Sequence, residues 1–375
     1  MNTQKLEKFI DSLGEADIRA IECIVYKDHQ KVFHRCFGHS DADKSVPLTH
    51  DNLYWLFSAT KVITCLAGVK LVDEGKMSLD DPVSKYIPEF ADLTVLKDGV
   101  AVKAEKEMKM IHLFTMTGGL TYDTAAAELL KFRKENPKAS TLEVVRAMAK
   151  DPLAFEPGEH YRYSLCHDVL AAVIEVVSGM KFSEYLEKNF FAPLGIKDLG
   201  FVPNEEQKSR FVTMFDYKSS INVSTVRENQ GNGYILSENY ESGGAGLFGA
   251  ASEYIKIIDA VACGGVTHDG QRILSENAVM MMTKNHLDDA CRSDFVKDPR
   301  KYGYGWGLCG RVHMNPAISL SLSPKGEFGW DGAAAAFALM DPFNKTSIFI
   351  AMHTRACSFA YERIHSKVRD LVYED

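Results

Sequence analysis

A chain of 375 residues with 46% hydrophobic composition is long enough for one large domain, or two lobes, around a sizeable core. A net charge of -8 and the lack of any basic block argue against a general nucleic-acid binder. The start, Met1 to Lys8, has no apolar signal core, and no apolar run is long enough for a bilayer. The expectation is therefore a cytoplasmic protein with no membrane partner, its eight scattered cysteines reduced and several of them core residues.

Gln4 to Leu13 reads as a short amphipathic helix. Ile21–Tyr26 and Lys31–Phe37 read as two strands, with Asp28-His29-Gln30 as the hairpin loop between them. From Val62 to Val72 apolar residues lie on all sides of a helical wheel, which predicts a core helix stopped by Gly75. Leu79-Asp80-Asp81-Pro82 is a turn with Asp80 or Asp81 as a cap, and helical segments follow to about residue 190, the strongest over Leu165–Val177. Residues 203–240 are polar and poorly periodic. Gly243-Gly244-Ala245-Gly246-Leu247-Phe248-Gly249 is a tight segment feeding a helix from about Ser252, and suits close packing better than phosphate binding. Ile318–Leu322, Ala333–Met340 and Ser347–His353 read as antiparallel strands, the last two joined by a turn at Asp341-Pro342-Phe343-Asn344-Lys345. A helix from about Phe359 closes the chain. Strands at both ends with helices between predict an α+β fold: an antiparallel sheet flanked by helices, with an inserted, mostly helical lobe. Residues 1–75 with 241–375 form the sheet lobe, residues 76–240 the helical one, and a site is expected between them.

Three segments carry candidate chemistry. Ser58-Ala59-Thr60-Lys61 opens the core helix. Ser58 reads equally as a helix N-cap, and Lys61 as a side chain that snorkels to water. The functional alternative places a nucleophile and a base on one helix face, since residues three apart are neighbours and a serine hydroxyl needs a base to react. The tetrad alone is weak, because roughly one or two chance matches are expected in such a chain, and Ser178-Gly179-Met180-Lys181 is another. The second segment is Pro157-Gly158 running through Tyr163-Ser164-Leu165 into a helix. Ser164 as N-cap and Tyr163 as packing is one reading; Tyr163 sharing a proton with Lys61 is the other. The third, Gly329-Trp330-Asp331-Gly332-Ala333, is a plain hairpin signal, or a small-residue strand opening whose N–H pairs with that of Ser58 as an oxyanion site. Gly-x-Ser-x-Gly, His-Glu-x-x-His, Walker and dinucleotide patterns are absent, and the twelve histidines form no obvious ligand cluster in the sequence.

In this order the three segments resemble the serine β-lactamase and penicillin-binding-protein superfamily, on its class C, DD-peptidase and esterase branch, from about Ile21 to His353. Glu74–Val83 and Leu113–Leu120 share the resemblance. It implies Ser58 as nucleophile, Lys61 and Tyr163 as its bases, and the N–H groups of Ser58 and Ala333 as oxyanion donors, with no metal or organic cofactor. Two departures shape the expected substrate. Leu165 stands where lactamases carry an amide side chain, and Trp330-Asp331-Gly332 where they carry Lys-Thr-Gly. The cation for a substrate carboxylate is thus missing, and Asp331 would repel one by about a kcal/mol. Trp330 resembles the esterase branch and implies an apolar wall. With Trp330, Asp331, Gly332 and Leu165 as substrate contacts, the expected activity is carboxylesterase on a small-molecule ester. A D-aminopeptidase-like amide hydrolase, with Asp331 binding an amine, and a non-enzymatic binding module of the same fold are the alternatives.

Overall fold

The computed structural model describes residues 1–374. In chain order the elements used below are α1 (Thr3–Ser12), β1 (Ala20–Lys27), β2 (Gln30–Gly38), α2 (Thr60–Asp73), α3 (Cys166–Ser178), α4 (Ala251–Ala262), β3 (Tyr304–Gly307), β4 (Gly310–His313), β5 (Phe328–Gly329), β6 (Phe337–Asp341), β7 (Thr346–Ala351) and α5 (His365–Tyr373). The seven strands form one antiparallel sheet in the order β3-β4-β5-β6-β7-β1-β2. β1 lies next to the edge strand β2 and pairs on its other side with β7 (Ile24 opposite Phe349).

Alternation along these strands gives the sheet two apolar faces. Ile21, Cys23, Val25, Leu339, Ile348 and Ile350 pack under α1 and α5, which contribute Leu6, Ile10, Val368 and Leu371. Ile24, Ala338, Met340 and Phe349 face α4 and the larger core, where the Tyr254 and Phe349 rings stack at 4.2 Å. A sheet covered on both faces needs strands that are apolar on both, and β7 is buried throughout.

Between α2 and α4 the chain forms short helices joined by loops and small hairpins, which pack around α2, whose residues Thr60 to Val69 are all buried. Gly68 admits α3 and the Met110–Phe114 helix: a Cβ there would lie 2.7 Å from Phe114 Cζ. No helix of the described residues is long and apolar enough to cross a membrane.

Three sequence expectations are corrected, and one stretch left without elements gains a hairpin. Ile318–Leu322 is not a strand: Asn315 caps a short helix, Pro316–Ser319, and Ile318, Leu320 and Leu322 stay exposed. Their alternation mimics a half-buried strand, but no neighbour strand accepts them. The strand expected at Ala333 begins only at Phe337, because Gly332 to Ala336 turn on themselves, with Ala335 at φ +66° and hydrogen bonds linking Gly332 to Ala335 and Ala336. The polar stretch 203–240 contains a hairpin, Phe215–Lys218 with Val223–Val226, docked on Thr354–Arg355. Neither Asp80 nor Asp81 caps the following helical turn; Asp81 accepts from the Ser78 N–H instead.

Candidate active site

The backbone before α2 is held in a strained form. Tyr54–Trp55 pairs with Phe248–Gly249, the Leu56 N–H donates to Leu247 O, and Phe57 takes φ +46°. A left-handed aromatic residue costs about 1–2 kcal/mol, met here by packing on Met214 and Ala334 and by Arg355, whose guanidinium lies 4.7 Å from the Phe57 ring centre. His353 reinforces the approach: its Nδ1 donates to Val212 O at 2.6 Å and its Nε2 accepts from the Trp55 N–H at 3.2 Å, a neutral ring whose pKa burial pushes down to about 4.

Ser58 follows this strained residue, and its side chain caps neither the short 3-10 turn at Phe57–Ala59 nor α2. The capping alternative therefore falls, and the hydroxyl is left for other work. Snorkelling falls too, since Lys61 is 1% exposed. Its Nζ donates to Gly244 O at 2.6 Å, to Tyr122 Oη at 3.1 Å and to Ser58 Oγ at 3.5 Å. Nζ also lies 4.7 Å from the Tyr163 ring centre.

Tyr163 comes from the loop before α3 and stacks on Tyr122 at 5.5 Å with ring planes 8° apart. Burial raises its pKa well above that of a free phenol, while the Ser58 hydroxyl and the Trp330 indole N–H pull the other way and Asp331 pushes it further up. The indole donates to Tyr163 Oη at 3.0 Å. Trp330 is thus more than an apolar wall: a donor on the phenol oxygen favours the phenolate whenever the proton leaves.

Gly332 to Ala336 complete the site from the sheet side. A Cβ on Gly332 would stand 2.4 Å from Leu56 O, so glycine lets the turn lie against the strand leading to Ser58. The Tyr361 hydroxyl holds Gly332 O, and the Thr354 N–H holds Ala334 O. Among the described residues, the N–H groups of Ser58 and Ala333 donate to no other group of the protein. Ser58, Tyr163, Trp330, Asp331, Gly332 and Ala333 all line one cleft of about 640 Å³.

Two expected substrate contacts change. Leu165 does not line this cleft: it is 6% exposed and belongs to the core at the start of α3, because its side chain points among the helices. Asp331 is not an open negative charge, since Arg311 of β4 pairs with it at 3.1 Å and also lines the cleft. The pair leaves little net charge beside Trp330. Ser164 is no helix cap either; its hydroxyl faces Cys166 Sγ at 3.1 Å.

Three contributors were not legible in the sequence. Tyr122 lies in a loop with no periodic signal. Asp168, on α3, is fully buried; its Oδ1 accepts from the Tyr240 and Ser242 hydroxyls at 2.6 Å each, and its Oδ2 has no partner. Gly244 explains the glycine run: a Cβ there would lie 2.3 Å from Asp168 Oδ2 and 3.2 Å from Lys61 Nζ. Only glycine lets its carbonyl seat the lysine with a carboxylate close behind. The constellation offers a hydroxyl at a helix start, a buried amine and phenol able to exchange its proton, and two free N–H groups across the cleft. Those are the parts of acyl transfer through a serine.

The chain is similar to known proteins in sequence and in fold. The family model described as Beta-lactamase matches residues 6–365. Esterase EstB of Burkholderia gladioli is 27% identical over 97% of this chain and 93% of its own length. A Salmonella agona protein, provisionally named a D-alanyl-D-alanine carboxypeptidase, is also 27% identical, over 92% of this chain and 81% of its own. Among solved structures, EstCE1, described as a hydrolase with promiscuous acyltransferase activity, superposes with a TM-score of 0.82 at 22% identity, covering 99% of this chain and 98% of its own.

Proposed function

The chain belongs to the Beta-lactamase family of serine hydrolases, and on that footing we propose that it is a carboxylesterase for small and medium esters, working through an acyl-enzyme on Ser58. The observation that carries the reading is the uncapped Ser58 hydroxyl, set between Lys61 and Tyr163 at the floor of a cleft. Ser58 Oγ attacks the ester carbonyl as its proton passes to the Lys61/Tyr163 pair. The raised Tyr163 pKa keeps the phenol protonated at rest, so the pair accepts a proton only with the Lys61 amine uncharged: Tyr163 passes its phenol proton to Lys61 as it takes the proton of Ser58. Gly244 O and the Tyr122 hydroxyl orient the lysine, and Asp168 lends negative charge beside it as the proton arrives. The N–H groups of Ser58 and Ala333 stabilise the oxyanion, and the proton returns to the leaving alkoxide. Water then repeats the sequence on the acyl-enzyme.

Ester rather than lactam or D-aminoacyl amide follows from the residues around the nucleophile. At the third motif stands an indole committed to Tyr163, and Asp331 is already occupied by Arg311, which weakens its use as an amine site. The test is a panel of p-nitrophenyl esters of graded chain length, a D-aminoacyl p-nitroanilide and a chromogenic cephalosporin. The esters are expected to lead in kcat/KM by about 100-fold or more, the discrimination open to a site that leaves a substrate's charge unpaired. Faster turnover of the anilide or the cephalosporin would overturn the assignment.

A further inference from the structure

A second cavity of about 650 Å³, between the β1–β2 hairpin tip, α4 and the Ala192–Gly195 turn, shares no lining residue with the cleft at Ser58. His29, Asp259 and Cys263 meet at its edge, their ligand-type atoms all within 4.8 Å of one another. His29 is the tip of the β1–β2 hairpin, while Asp259 and Cys263 sit one turn apart at the end of α4, on the same helix face. His29 Nδ1 lies 2.8 Å from Asp259 Oδ2, and Cys263 Sγ 3.9 Å from Asp259 Oδ1.

A simple histidine–carboxylate contact explains part of this cluster but leaves two features over. Asp259 is 4% exposed, yet the partners of its Oδ1 stand far off: Ser347 Oγ at 3.5 Å and Cys263 Sγ at 3.9 Å. Buried carboxylate oxygens ordinarily have close partners. In addition, His268 lines the same cavity, its ring centre 6.1 Å from that of His29 with planes at 81°. Two imidazoles bound to one ion at the tetrahedral angle through bonds of about 2.1 Å have ring centres about 5.3 Å apart, so a side-chain shift of about 1 Å brings His268 to a fourth position.

We propose that His29, Asp259 and Cys263, with His268 able to close the shell, form a binding site for a zinc-type divalent cation that clasps the β1–β2 hairpin to α4. The donors are one or two imidazoles, a carboxylate and a thiol, the mixture that suits Zn²⁺ and not the all-oxygen shells of Mg²⁺ or Ca²⁺. Tetrahedral coordination needs donor separations of about 3.4–3.8 Å, between the 2.8 and 3.9 Å seen here, so small side-chain rotations suffice. On binding, the Cys263 thiol proton leaves to solvent and the His29 proton resides on Nε2. Thiolate and carboxylate then balance the two positive charges of the ion. Lys31 and Lys256 also line the cavity, which places the ion at its carboxylate end. The residues come from segments about 230 positions apart, which is why no zinc spacing is visible in the sequence.

The experiment uses the purified full-length chain, stripped by chelator and titrated with Zn²⁺ by calorimetry and with Co²⁺ by absorption. His29→Asn and Cys263→Ser are compared, asparagine being chosen because it tolerates the left-handed backbone of His29, φ +63°. The wild type is expected to bind one Zn²⁺ with a Kd below about 1 µM and to show a near-ultraviolet sulfur-to-cobalt charge-transfer band. Cys263→Ser removes that band, both variants weaken Zn²⁺ at least about 100-fold, and ester hydrolysis without added metal is unchanged in both. A wild type lacking the band, or variants that bind Zn²⁺ as tightly as the wild type, would overturn the site.

Discussion

Ser58→Ala is expected to lower kcat/KM for the best ester substrate by about 10,000-fold or more, the scale on which loss of a serine nucleophile acts. Stability should hardly change. The Ser58 side chain caps no helix, so its removal leaves no new unpaired helix N–H, and alanine fits α2 entry without new contacts. A purified, folded Ser58→Ala protein with near-normal hydrolysis would show that the nucleophile lies elsewhere. Circular dichroism alongside the kinetics separates lost chemistry from lost fold.

The second large effect is expected at Tyr163→Phe. The ring, its stacking on Tyr122 and its packing against Trp330 are kept, and only the proton-carrying oxygen goes. General acid–base groups contribute about 100- to 10,000-fold, so kcat should fall within that range while KM moves by no more than about threefold. The Trp330 N–H loses its partner, but Trp330 borders the open cleft and water can replace it. Equal loss in KM with kcat unchanged would make Tyr163 a substrate-binding residue and remove it from proton transfer.

Much of the site could be read in the sequence because each piece is local. Ser58 and Lys61 are one helical turn apart, and Tyr163 precedes a strongly apolar helix, so short-range pattern sufficed. Tyr122, Asp168 and Gly244 could not be read this way. Each is ordinary in its own segment and gains meaning only where three segments close around one lysine. The reading of Asp331 failed for a related reason: Arg311, 20 residues earlier, reaches it from the neighbouring strand β4.

The fold shows the same division. The two-stranded start, the core helix and the last long strand were legible from periodicity. Ala333 to Ala336 were misread because a run of alanines carries no turn signal, whereas the close approach of Gly332 to Leu56 forces one. Ile318 to Leu322 show the converse, an alternating pattern with no strand to pair it. Long-range contact decided both, and periodicity does not report it.

Covalent labelling tests the proposed nucleophile most directly. The native protein is treated with a fluorophosphonate and followed by intact-mass measurement and peptide mapping. The expected result is one adduct per chain, on Ser58, formed in step with loss of esterase activity and absent from Ser58→Ala. Full inactivation with the adduct on another residue, or continued esterase activity in a fully Ser58-labelled protein, would contradict it.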